Sequence, residues 1–267
     1  MSRILVFDSG VGGLTVLDAI RAVLPDASYV YVADNDGFPY GEWDEDDLIA
    51  RTVALFDQLV ATWSPDLCVI ACNTASTLVL PHLRARFAMP FAGTVPAIKA
   101  AAKLTRSGLV SVLATPGTMK REYTRALIRT FATHVAVRLV GCHELAPIAE
   151  AKLAGRAVDM DAVRMEIAPA FLDTGGRRTD TVVLACTHYP LILDDLRAAA
   201  PWAVEWIDPA PAIARRVLEV LPPDAADRPA AEGAIAVFTA PQRVTRDLAA
   251  ALQARGLNLR ADRPVPA

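Results

Sequence analysis

Ile4-Leu5-Val6-Phe7-Asp8-Ser9-Gly10-Val11-Gly12-Gly13 sets four consecutive apolar residues directly before an acid and a glycine-rich turn. An apolar run without alternation reads as a strand buried on both faces, which belongs in a parallel sheet covered by helices. The pattern recurs as YVYV at 29–32, LCVIA at 67–71, LVSVLA at 109–114, VAVRLV at 135–140 and TVVLA at 181–185, with AVEWI at 203–207 and AIAVFTA at 234–240 as further strands. Helical spacing fills the segments between. The acids from Asp44 to Asp47 suit a first helical turn, and Gly256 stops a last helix that begins near Gln242. The chain is therefore α/β, with a loose tail from Arg260.

Strand, DSGVGGLTV, helix and then strand, ACNTAS, helix is echoed by strand, ATPGTMKREY, helix and then strand, ACTHYP, helix, at similar spacing. Two pseudo-symmetric α/β domains are expected, with mainly parallel sheets and the active site in the cleft between them. Residues 1–97 with a return over 208–267 form the first, and residues 98–207 the second. Of 267 residues 53% are apolar, enough for a sizeable core and too many for a disordered chain. A net charge of −3 supplies no field for a phosphate backbone, which disfavours nucleic acid as a partner. No run approaches the ~18 apolar residues that cross a bilayer, and the N-terminus lacks the apolar stretch of a leader. A cytoplasmic location follows, with Cys68, Cys72, Cys142 and Cys186 as free thiols.

In parallel α/β sheets ligands bind beyond the carboxyl ends of strands, where loops lead into helix N-termini. Asp8-Ser9-Gly10, Cys72-Asn73-Thr74, Thr115-Pro116-Gly117-Thr118 and Cys186-Thr187-His188 all hold that position. Cys72 and Cys186 each close an apolar strand after an alanine and precede a helix, whose dipole lowers a thiol pKa. Two thiols at matched points of related halves can reach one substrate atom from opposite faces. His188 lies within proton-exchange reach of Cys186. Asp8, whose ordinary role would be a helix cap, is expected to assist Cys72 in the same way. The amides of Gly10 to Gly13 and Ser9 suit a carboxylate or phosphate, yet Thr15 breaks the dinucleotide pattern. The loop from Asp34 through Tyr40 to Gly41 reads equally as turns or as a substrate clamp. Cys68 reads as core, His82 and His134 as packing or surface, and Cys142-His143 has no spacing for a metal site.

DSGVGGLTV, DNDGFPYG, ACNTAS, TPGTMKREY and ACTHYPLI, in that order over nearly the whole chain, resemble the glutamate racemases of the aspartate/glutamate racemase superfamily. The resemblance implies interconversion of L- and D-glutamate for peptidoglycan precursors, without cofactor or metal. It implies Cys72 and Cys186 as the paired acid and base, and Asp8, Asp34, Glu150 and His188 as assisting groups. Substrate contacts carry over to Asp8, Ser9, Tyr40, Gly41, Asn73, Thr74, Thr118, Thr187 and His188. GCHELAPIAE, which holds Glu150, carries alanines where branched residues are usual. Pyridoxal phosphate would need a Schiff-base lysine, and the four lysines at 99, 103, 120 and 152 all sit on helical segments. The expected partner is the substrate, without nucleic acid or membrane; a homodimer is left open. Two alternatives remain: racemisation of aspartate or another acidic amino acid, and a binding role such as the restraint of DNA gyrase reported for some members. A thiol hydrolase or zinc site lacks its full constellation.

Overall fold

The computed structural model describes residues 1–223 and 234–260. The strands are β1 (Arg3–Asp8), β2 (Ser28–Ala33), β3 (Leu67–Ile70), β4 (Phe91–Gly93), β5 (Leu109–Ala114), β6 (Ala136–Gly141), β7 (Asp173–Thr174), β8 (Arg177–Arg178), β9 (Thr181–Ala185), β10 (Glu205–Ile207), β11 (Ala234–Phe238) and β12 (Leu257–Arg260). One sheet runs β12-β11-β2-β1-β3-β4 and a second β10-β9-β5-β6. Every pairing in these two sheets is parallel, and only the β7–β8 hairpin is antiparallel.

The echo in the sequence is an echo in strand order. The series β2-β1-β3-β4 in one sheet matches β6-β5-β9-β10 in the other. In each, the first strand lies beside the third, with Phe7 opposite Ile70 and Ala114 opposite Ala185.

Buried pleats explain the unbroken apolar runs. Ile4 and Val6 of β1 pack with Leu17, Ile213 and Leu252 from the helices Leu14–Val23, Ala210–Val220 and Arg246–Ala254. Leu5 and Phe7, pointing the other way, meet Leu55 and Phe56 of the helix Glu45–Trp63. In the second sheet Val110, Val112 and Ala114 face Ile98 and Ala101, while Leu113 faces Leu145 and Val163.

Three local readings are corrected. β6 is an edge strand with Ala136 and Arg138 exposed, so its two faces are not both covered. The last helix starts at Arg246, not near Gln242, and the Thr245 hydroxyl accepts the Leu248 N–H at 3.1 Å; Gly256 then takes φ 69° and leads into β12, a strand that the sequence reading did not include and that takes in Arg260, the first residue of the expected loose tail. Tail residues 261–267 lie outside the described residues. The first helix starts at Leu14 with Gly13 as its cap and no side-chain bond there, so Asp8 is not a capping residue.

Phe7 is fully buried, with its ring 5.1 Å from Phe56 and 6.4 Å from Tyr40. Phe7→Ala is expected to cost about 3–5 kcal/mol of stability, read from the denaturant midpoint. A loss under about 1 kcal/mol would mean that this layer does not carry the core.

Candidate active site

Parallel pairing sets the four strand-end clusters side by side in two pairs. Asp8 ends β1 next to Ala71, whose N–H donates to Phe7 O at 2.8 Å, and Cys72 follows. Thr115 follows β5, which lies next to β9, and β9 leads into Cys186. A narrow cavity of about 20 Å³ is lined by both thiols. Ser9, Asn73, Thr74, Thr187 and His188 line it as well, with Tyr40 and Gly41 from the loop after β2.

On one side stands a carboxylate–imidazole–sulfur relay. Glu150 Oε1 accepts the Val11 N–H at 2.7 Å and bonds His188 Nε2 at 2.8 Å, while His188 Nδ1 lies 3.7 Å from Cys186 Sγ. Burial opposes charge on His188, but its bonds to Cys186 and Glu150 outweigh that penalty and hold its pKa well above the ordinary value. The ring thus stands between a carboxyl group and a sulfur. Phe38 covers it with ring centroids 5.3 Å apart.

The glycine loop receives this relay. A Cβ on Gly10 would lie 2.0 Å from Glu150 Oε1, and one on Gly12 would lie 2.5 Å from His188 Nδ1 and 2.7 Å from the His188 backbone nitrogen. Two of the amides expected to cradle a ligand anion are used internally: Gly10 N–H donates to Asp8 Oδ2 at 3.1 Å and Val11 N–H to Glu150. Asp8 also accepts the Thr187 hydroxyl at 3.1 Å, which ties the two halves together. Full burial raises the Asp8 pKa.

Cys72 stands in the opposite electrostatic condition. Its Sγ is 3.8 Å from Ser9 Oγ, and its thiol is pushed up to about 12, first by burial and then by the nearby Asp8. The depression expected from the start of the helix Asn73–Leu78 does not prevail against burial and Asp8. The segment after Cys186 is a short 3-10 turn, Tyr189–Ile192. Both polar atoms of the Asn73 side chain are buried without a hydrogen-bond partner, an expensive arrangement that a ligand carboxylate or amine would relieve. Thr74 Oγ1 lies 3.1 Å from Thr115 Oγ1 and 3.2 Å from Thr118 Oγ1, again joining the two halves. Outward from this cavity a larger one of about 470 Å³ shares Pro39, Gly41, Thr115 and Ala146 with it.

Asp34 is not among the residues lining the cavity. It is wholly buried beneath it, with Arg51 donating at 2.6 and 2.7 Å, Thr239 at 2.7 Å, and the Tyr40 hydroxyl closing the set. Cys68 lies in the core, and burial raises its thiol pKa. Cys142 faces the carbonyls of Val140 and Glu166, His134 meets Ala102 O and His143 is exposed. No cluster of three metal-ligating side chains occurs among the described residues. Sequence reasoning missed Arg51, one charge among several on a helix, and Thr239, although Thr239 follows a buried strand as the other site residues do.

A sequence model of the Asp/Glu/Hydantoin racemase family matches residues 15–217. The chain belongs to this racemase family. Glutamate racemase from Brucella ovis is 59% identical over 220 residues, 82% of this chain and 79% of that protein. The Escherichia coli glutamate racemase, solved with L-glutamate and the activator UDP-MurNAc-Ala, superposes with a TM-score of 0.90 at 43% identity, over 97% of this chain and 96% of the other. A Bacillus anthracis glutamate racemase isoform gives 0.80 at 25% identity, over 100% and 99%. Among the described residues of this racemase family member, no helix is long and apolar enough to cross a membrane. Its glycine loop yields a direct test. Gly12→Ala is expected to displace His188 and lower kcat/KM by about 100-fold while circular dichroism stays that of the wild type; near-normal turnover would show that the loop tolerates a side chain against the relay.

Proposed function

We propose that this chain is a cofactor-independent glutamate racemase that uses Cys186 and Cys72 as its two proton-transfer groups. The observation that carries the reading is the pair of thiols at equivalent strand ends, both lining one cavity, with the His188 imidazole beside one and the Asp8 carboxyl beside the other.

Inverting Cα requires a base on one face and an acid on the other. Burial and Asp8 keep Cys72 protonated, and His188, with Nδ1 3.7 Å from the Cys186 sulfur, stands where it can take that thiol's proton. In that state Cys186 takes the α-proton of L-glutamate and Cys72 delivers its own proton to the opposite face. The product is D-glutamate, and the enzyme is left with a Cys72 thiolate and a Cys186 thiol, the state that accepts D-glutamate. The α-proton is far less acidic than a thiol, so charge developing at Cα and its carboxylate needs donors already in place. Asn73, Thr74, Thr187 and Ser9 are the donors at this cavity, and its narrowness strengthens them by excluding water. Asp8 and Glu150 keep Thr187 and His188 oriented.

Residues 1–97 with 208–267 and residues 98–207 act as the two lobes that bring one thiol each, a division supported by membership of the two sheets. D-glutamate made in this way serves peptidoglycan precursors in the cytoplasm, a location consistent with four cysteines free of disulfides. Racemisation of aspartate is the second reading, and the site's carboxylate chemistry would serve it equally.

Chiral chromatography after incubation with each enantiomer of glutamate and of aspartate tests the assignment, with conversion expected for glutamate. Cys72→Ser and Cys186→Ser should each lose racemisation by at least about 100-fold, since a hydroxyl is a far weaker acid than a thiol, and both should unfold at the wild-type midpoint. Wild-type rates in either variant would remove that sulfur from the mechanism.

A further inference from the structure

We propose that Arg51 and Thr239 are positioning residues for the reaction, holding Asp34 and through it Tyr40 and the Pro39–Gly41 wall of the cleft. The inference rests on the racemase reading of that cleft. Arg51 grips both oxygens of Asp34, with Nε to Oδ2 at 2.7 Å and a terminal nitrogen to Oδ1 at 2.6 Å, and its guanidinium lies 5.5 Å from the centre of the Trp43 ring. Trp43 in turn donates to Gly37 O at 2.8 Å, so one side chain ties together both ends of the loop after β2. Thr239, just beyond β11, donates to Asp34 Oδ1 at 2.7 Å and accepts the Asp36 N–H at 3.1 Å. Asn35 adds a reciprocal pair with the Ala240 backbone at 2.8 and 3.0 Å. Asp34 has no exposure and is not part of the cavity wall, so its effect on a ligand there passes through the wall it anchors. A fully buried carboxylate is tolerable only with such partners, and a bidentate guanidinium fixes direction as well as charge. The segment that returns from the end of the chain thereby sets the shape of the substrate site.

Arg51→Lys keeps the charge but cannot grip both oxygens and stack on Trp43. KM for both enantiomers of glutamate is expected to rise roughly tenfold, the equivalent of one lost charge-assisted hydrogen bond, with a smaller change in kcat. Thr239→Val, which leaves no charge unpaired, should raise KM in the same sense, and Thr239→Ser should restore it. Tyr40→Phe combined with Arg51→Lys should cost less than the product of the separate effects, because both act on one chain of contacts. Loss of folded protein lowers the apparent kcat and leaves KM unchanged, so the split separates positioning from mere stability. Unchanged KM in Arg51→Lys and Thr239→Val, in a wild-type background that racemises glutamate, overturns this inference alone. A wild-type chain without racemisation overturns the proposed function itself.

Discussion

The pairing of the first strand of each unit with its third is the constraint on which the site depends. β1 beside β3 sets Asp8 next to the approach to Cys72, and β5 beside β9 sets Thr115 next to the approach to Cys186. Connections between parallel strands must cross over through helices, so the loops after the strand ends gather at the carboxyl edge. Two such edges facing one another supply what stereochemical inversion needs, which is a group of the same kind on each side of a carbon. A single sheet of this type would offer both loops from one side only.

Several of the contacts that cross between the two units are polar and wholly or partly buried. Thr187 to Asp8, Glu150 to Val11, and the Thr74, Thr115 and Thr118 hydroxyls all join residues of the first sheet's loops to residues of the second's. Buried polar groups are costly unless satisfied, so these contacts specify how the units meet more narrowly than apolar packing would. They also divide the site electrically. The His188 ring faces Cys186, while burial and Asp8 raise the thiol pKa of Cys72, and two chemically identical side chains thereby stand in different surroundings. Glycine at positions 10 and 12 is a consequence of this meeting, since the relay from the second unit occupies the space a Cβ would take.

Periodicity made the two-sheet α/β fold legible, because strands covered on both faces show as unbroken apolar runs such as Leu109 to Ala114. It failed at β4, three residues long, at β12, whose LNLR alternates as a half-exposed edge does, and at the exposed face of β6. The thiols and His188 were legible from their place after buried strands. Glu150 came from the family resemblance alone, as nothing in a helix sequence reveals that one acid reaches across to the N–H of Val11. The sign of the local field at Cys72 was misjudged: a strand end before a helix suggests a lowered thiol pKa, and full burial beside a second acid reverses it. Arg51 carries no signal at all, since its role depends on which loop folds over it.

The central claim is that two different sulfurs handle the proton on the two faces of Cα. Incubating the enzyme with L-glutamate in deuterated water and analysing both enantiomers by mass spectrometry at low conversion tests it directly. The account predicts one solvent deuterium at Cα of the D-glutamate formed and protium retained in the unreacted L-glutamate. Deuterium entering the L-glutamate pool as fast as D-glutamate appears, or D-glutamate that keeps the substrate's own proton, would point to a single group serving both faces and would contradict it.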